Sequence, residues 1–307
     1  MTLCKQRTLR GECRFEGKGL HSGKYTHMTL KPAGPGTGIV FRRTDLGEDA
    51  LVHAVADNVS STARSTTLSE GQASVATVEH LMSALTGLGV DNVLVELDNL
   101  EVPILDGSAR FYAEAFARTG LEEQDAPRKV FTLDQAVEVS DPASGAFVRL
   151  EPSDTCSYEV TVDFGSHVLG VQQAAWDPSV DYAAEVAPCR TFVFFHELEY
   201  LFANNLIKGG DVDNAIVIVE HPVTREQLDR ITGLFGRPQI DIREDGYLDN
   251  LQLHFPNECG RHKLLDLVGD LRLACGFLSA RVTAFKPGHT LNTLAAKAVR
   301  EQILLQL

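Results

Sequence analysis

The sequence is short of several things, and each shortage excludes a class of protein. No apolar run approaches the ~18 residues of a membrane span, and the opening stretch "MTLCKQRTLRGECRFEG" has no apolar segment of the kind a secretion signal carries. The expected location is therefore the cytoplasm. Positive charge is scarce: 28 Lys and Arg stand against 42 Asp and Glu, a formal net charge of −14. Nucleic-acid binding, which rests on Lys and Arg against phosphate, is a poor fit. The six cysteines (Cys4, Cys13, Cys156, Cys189, Cys259, Cys275) form no C-x-x-C pair. They read as free thiols rather than as a disulfide framework or a cysteine-type zinc site. There is no G-x-x-x-x-G-K-[ST] or G-x-G-x-x-G phosphate loop and no G-x-S-x-G frame around a serine.

What is present is an ordinary globular composition, 44% hydrophobic and 23% charged over 307 residues. That is enough chain for two medium domains. Strand-like runs such as "YTHMTLKP" (25–32) and "GIVFRRTD" (38–45) lead into "VATVEHLMSALTGLGVDNVLVELDN" (75–99), a helix followed by a strand. Thr77 is the expected N-cap of that helix, and Gly87 or Gly89 its end. "ILDGSARFYAEAFARTG" (104–120) reads as a turn and a helix, capped by Ser108 and stopped by Gly120. The polar stretch "LEEQDAPRKV" (121–130) is the best boundary, giving domains over 1–125 and 126–307. In the second part, 190–220 reads strand, helix, Gly-Gly turn, strand, and 224–250 as a polar, irregular insertion. "EHLMSALTGLGVDNVLVEL" and "RHKLLDLVGDLRLACGFLSARVTAF" share a plan: a histidine near a helix start, an amphipathic helix, glycine, then a strand. Two halves of related architecture are expected, each delivering a histidine from an equivalent helix.

The second of these helices carries the first chemical signal. At about 100° per residue, Leu264, Val268, Leu271 and Cys275 fall on one side of it. His262, Asp266 and Asp270 stack on the other, with Lys263 beside them. That row is either a solvated face with a favourable i,i+4 His–Asp pair or part of a metal site. A catalytic Zn²⁺ takes three protein ligands and leaves one position open. His262 and Asp266 supply two ligands, and His80 a third if the two helices meet. Glu79 lies beside His80, placed to act as a general base on water. His289 follows the Pro-Gly turn of "FKPGHTLN", where Asp270 could orient it. "FVFFHELEYLF" (192–202) holds Phe192, Phe194, Phe195, Tyr200 and Phe202, either core or an apolar passage for a lipid tail. "GLHSG" (19–23) presents His21 on a glycine-flanked turn.

Taken together these stretches, with "QRTLRGECRFEGKGLHSGK" (6–24), "TVEHLMSALTGLGVDN" (77–92), "VPILDGSARFY" (102–112), "GGDVDNAIVI" (209–218), "RHKLLDLVGDL" (261–271) and "TAFKPGHTLN" (283–292), run in one order along nearly the whole chain. In that order the chain resembles the zinc-dependent UDP-3-O-acyl-N-acetylglucosamine deacetylases of lipid A biosynthesis in Gram-negative bacteria. The resemblance implies an α+β fold. Two related α/β domains form a layered β-α-α-β sandwich, with a βαβ insertion at about 193–220 for the acyl chain. It implies Zn²⁺ on His80, His262 and Asp266, with Glu79 as general base. His289 would be a second catalytic group paired with Asp270, and Thr191 and Lys263 would border the reacting carbonyl. Phe192, Phe194, Lys263, Lys286 and His21 form the candidate substrate-binding set, the lysines facing the diphosphate. The expected substrate is the UDP-sugar, and the expected state a monomer. Arg64 stands where some members carry a cysteine. Some members continue into a hydroxyacyl-acyl-carrier-protein dehydratase. Three alternatives stand beside this reading: an amidase on another acylated sugar, the deacetylase part of a longer bifunctional chain with that dehydratase, and a binding module built around a structural metal.

Overall fold

The computed structural model describes residues 4–204, 206, 208–211, 213–234, 240–274 and 276–305, the side chains at 199, 202 and 234 excepted. Cys275 and the Phe202 side chain, both used in the sequence reading, lie outside this set. Seven α-helices occur among the described residues: α1 Glu79–Gly87, α2 Arg110–Thr119, α3 Tyr182–Glu185, α4 Phe195–Ala203, α5 Arg225–Leu234, α6 Glu258–Leu271 and α7 His289–Leu304.

Two sheets of matching topology flank the helices. In the first, the strands run in the order Cys13–Lys18, Tyr25–Pro32, Val93–Leu97, Ile39–Arg43, Leu51–His53. In the second, the order is Val137–Asp141, Ala146–Pro152, Phe277–Phe285, Ser157–Asp163, Val171–Trp176. In each, the central strand pairs antiparallel on one side and parallel on the other. In each, that strand follows the buried helix, α1 or α6, and precedes the next, α2 or α7. The repeat read from the sequence is thus a repeat of structure. Strict alternation of buried and exposed positions, as in Val171–Trp176, makes these strands half-buried. Their inner faces and the apolar faces of α1 and α6 form one continuous core, with Leu81, Leu85, Val95, Leu265, Val268 and Val282 fully buried.

The two helices approach closely. A Cβ on Gly269 would lie 2.1 Å from the Glu79 carbonyl oxygen, so only glycine lets α6 cross α1 at this point. This crossing brings the two histidines together.

Several local expectations are corrected. The polar stretch chosen as the boundary is a regular element over most of its length: Leu121–Pro127 is a strand antiparallel to Lys5–Leu9. Thr77 does not cap α1. Its φ is +59°, and its hydroxyl donates instead to Glu101 Oε1 at 2.9 Å. Ser108 Oγ accepts from Arg110 N at 3.1 Å, one residue ahead of the cap position, which Ala109 occupies. Gly120 does end α2, with φ +80°. The segment 190–220 forms the expected βαβ unit, Phe192–Phe194 pairing parallel with Ile216–Ile218 around α4. The polar segment after it is not irregular throughout. It contains α5, whose Leu228 and Ile231 pack with Leu198, Leu201 and Val217 in a separate apolar cluster. The polar look of 224–250 reflects a short helix that buries only a narrow stripe.

Candidate active site

At the start of α1 the backbone turns sharply. A positive φ is unfavourable for a β-branched residue such as Thr77, and here hydrogen bonds hold it. Val78 N donates to Thr66 O at 3.3 Å, and the Thr77 hydroxyl is tied to Glu101. Glu101, 1% exposed, also accepts from the backbone of His21 and Ser22 at 2.9 and 2.7 Å. One buried carboxylate therefore fixes the "GLHSG" loop and the entry to α1 together.

The turn aims Glu79 and His80 at α6. His80 Nε2 lies 3.7 Å, and His262 Nε2 3.4 Å, from the same oxygen, Asp266 Oδ1. Nδ1 of His262 donates to the Cys189 carbonyl at 3.0 Å, which leaves Nε2 as the free lone pair. One ligand atom from each of His80, His262 and Asp266 falls within 4.8 Å of the others. All three residues are buried, so the row on α6 is not a solvated face. Burial, and then each ring's effect on the other, pulls His80 down to about 3. Burial also lowers His262. Burial opposes the charge on Asp266, but His262 and Lys263 hold its pKa well below the usual carboxylate range. The set is two neutral imidazoles and one carboxylate.

Asp266 Oδ2 accepts from Lys263 Nζ at 2.9 Å, whereas Oδ1 is buried with no hydrogen-bond donor among the described residues. An orphaned buried carboxylate oxygen is costly. A divalent cation held by this oxygen and the two Nε2 atoms removes the cost. The N,N,O donor set fits Zn²⁺ among first-row metals.

Two acid–base groups adjoin the trio. Glu79 Oε2 accepts from Thr66 N at 3.0 Å, and Oε1 lies 3.8 Å from His289 Nε2. Burial pushes the Glu79 carboxyl up to about 7, against the charge of His289. Burial works against a charge on His289, yet Asp270 and then Glu79 outweigh it and raise the imidazole to about 9. Asp270 is fully buried. Its Oδ2 accepts from His289 Nδ1 and Asn292 Nδ2, both at 2.9 Å, and its Oδ1 from the Thr66 hydroxyl at 2.6 Å.

A cavity of about 280 Å³ opens over these groups. Thr191, Phe192, Lys263 and His21 line it, and His21 Nε2 has no hydrogen-bond partner among the described residues. The βαβ unit supplies Val193, Leu198 and Val217 as an apolar wall. Lys263 Nζ sits 5.5 Å from the Phe192 ring centre. The structure does not bring Phe194 or Lys286 into this cavity. Phe194 packs on Phe164 and stacks on His196, and Lys286 pairs with Asp163 at 3.3 Å.

The chain matches the model of the UDP-3-O-acyl N-acetylglycosamine deacetylase family over residues 6–235 and 231–301. It belongs to that family. It is 43% identical over 299 residues to the bifunctional enzyme LpxC/FabZ of Porphyromonas gingivalis, covering 97% of this chain and 65% of that protein. The chain thus spans about two thirds of the length of such bifunctional relatives. It is 41% identical over 303 residues to the UDP-3-O-acyl-N-acetylglucosamine deacetylase of Pseudomonas entomophila, covering 97% of this chain and 91% of that protein. To the deacetylase of Xanthomonas oryzae pv. oryzae strain PXO99A it is 39% identical over 300 residues, covering 97% and 90%.

Sequence reasoning missed four partners of the site. Thr66 sits in a hydroxyl-rich tract (60–67) that carries no periodic signal, and Cys189 contributes only a carbonyl. Glu101 reads as an ordinary acid after a strand. Asn292 was detectable, since it lies three residues beyond His289 on a helix and so shares its face.

Proposed function

We propose that this chain is a Zn²⁺-dependent amidohydrolase that removes the N-acetyl group of UDP-3-O-acyl-N-acetylglucosamine, the committed step of lipid A biosynthesis. One observation carries the reading. The buried trio His80, His262 and Asp266, with an orphaned oxygen, stands beside Glu79 and the Asp270–His289 pair at the foot of one cavity. Zn²⁺ bound there supplies Lewis acidity toward the amide carbonyl and toward water.

The residues of the chain do the rest. Glu79, buried beside the ligand set, takes the proton of the attacking water as general base. The Thr191 hydroxyl and the Lys263 ammonium donate to the carbonyl oxygen as negative charge develops on it. His289 carries its proton at neutral pH, held by Asp270. It either delivers that proton to the departing amine or faces the developing charge while Glu79 returns its own. The apolar wall of the βαβ unit takes the 3-O-acyl chain and excludes water from it. The enzyme works as a cytoplasmic monomer; no helix among the described residues is long and apolar enough to cross a membrane.

The test is acetate release from the UDP-sugar by the purified protein. Glu79→Ala should reduce turnover by about 10²-fold or more with metal content unchanged. Undiminished turnover in this variant would sink the mechanism. A second reading rests on the 65% coverage of the bifunctional relative: the deacetylase is one part of a longer chain that also carries the dehydratase. The mass of the native polypeptide decides between the two.

A further inference from the structure

A second cavity lies at the opposite ends of the same two helices. It has a volume of about 360 Å³ and shares no lining residue with the catalytic cavity. It opens where α1 ends at Gly87 and α6 ends at Leu271. Its lining contains three arginines, Arg7, Arg128 and Arg272, and no carboxylate. In a chain with a net charge of −14 that is a local reversal of sign.

One of the arginines is paired with a carboxylate, and the other two are held by backbone carbonyls. Arg128 pairs with Asp91, donating to its Oδ2 at 2.6 Å through Nη2. Arg7 donates to the carbonyls of Gly89 and Leu88 at 3.1 and 3.3 Å. Arg272 is 6% exposed. It donates to the Val90 carbonyl at 3.0 Å through Nη2, and its guanidinium carbon lies 3.9 Å from the centre of the Phe277 ring. Its Nη1 is buried and has no hydrogen-bond partner among the described residues. Burial draws this guanidinium down to about 10, so it remains charged at neutral pH. A buried guanidinium nitrogen with nothing to donate to is expensive, and an anion placed against it removes the cost. The other walls are apolar and aromatic. Tyr158, Trp176 and Phe277 face the same space, and the indole N–H of Trp176 is already spent on the Val180 carbonyl at 3.1 Å.

We propose that this cavity is a binding site for a small amphiphilic anion, its carboxylate or phosphate head on Arg272 and its apolar body against Trp176 and Tyr158. Nothing in the proposed deacetylation needs it, because the acetylated sugar and its acyl chain are accounted for at the other end of α1.

Trp176 is the only tryptophan of the chain, so its fluorescence reports on this cavity alone. The metal-loaded enzyme is titrated with hexanoate, hexyl phosphate, hexan-1-ol and inorganic phosphate. A saturable change is expected with one or both amphiphilic anions, and the tighter of the two identifies the head group. Hexan-1-ol and inorganic phosphate should bind at least tenfold more weakly, since each lacks half of the chemistry. Arg272→Met should weaken the anion at least tenfold and erase its advantage over hexan-1-ol. Val130 lines the rim and is half exposed. Val130→Trp therefore fills the mouth without touching the core, and the titration is then followed by calorimetry. This variant should also lose binding, and it serves if Arg272→Met does not fold. No saturable change with either anion overturns the proposal. So do equal affinities for hexanoate and hexan-1-ol, or undiminished binding to Val130→Trp.

Discussion

Replacing Asp270 by Asn tests how this site sets the charge of His289. The substitution keeps the shape and removes one negative charge 2.9 Å from the imidazole. Burial alone would drive His289 below its ordinary 6.5; Asp270 is the largest influence holding it at about 9. An opposite charge at this range is worth roughly 1–3 pKa units, so His289 in the variant should titrate near or below about 7. At pH 8 the imidazolium fraction then falls from about 90% to about 10%, a roughly tenfold loss of kcat if the charged ring is the working form. At about pH 6 both proteins hold a largely protonated ring, and the two kcat values should converge. The assay is the pH–rate profile of acetate release. The basic limb should move down by about two units, with melting curves checking that the variant is folded. A loss of the same factor at every pH, with the basic limb unmoved, would refute the reasoning. Asp270 would then be structural, acting through Thr66 and Asn292.

Further outcomes follow from the same geometry. In metal-free protein His289 has a raised folded-state pKa. It therefore stabilises the fold fully below about 6.5 and loses that contribution as pH rises through about 9; His289→Gln should flatten the fall in Tm across this window. Glu79 acts in the same direction at lower pH, so stability again falls as pH rises, here between 4.5 and about 7. Its pKa rises from 4.5 to about 7, so its ionisation costs stability above 4.5. Glu79→Gln should thus raise Tm at pH 8, through a stability gain of up to roughly 3 kcal/mol, while abolishing turnover. Gly269→Ala places a methyl 2.1 Å from the Glu79 carbonyl and must part α1 from α6. A loss of roughly 1–3 kcal/mol in stability should come with weaker metal binding, read by competition with a chromophoric chelator.

The features most legible in the sequence were those that one element carries by itself. The i,i+4 spacing of His262 and Asp266 puts both on one face whatever the rest of the fold does. The matching helix–glycine–strand plans pointed to two halves of related architecture because each plan is local. What a single helix could not reveal was which way that face points. His262, Asp266 and Asp270 look like a wet stripe, yet all are buried, because the face of α6 opposite its leucines meets α1 rather than water. The same blindness made Thr77 look like a cap. Its hydroxyl is claimed by Glu101, 24 residues away, and the backbone yields to that long-range bond. The strand at 121–127 was hidden because it pairs at the surface, where its exposed face can be polar. Phe194 and Lys286 fit the chemistry of a substrate site by type, but type does not say which cavity a side chain reaches.

The most direct measurement is metal content taken beside turnover of UDP-3-O-acyl-N-acetylglucosamine. The account predicts one Zn²⁺ per chain, lost from His262→Ala. Acetate release should disappear on chelation and return when Zn²⁺ is restored. Full turnover by metal-free protein, or by His262→Ala, would contradict it.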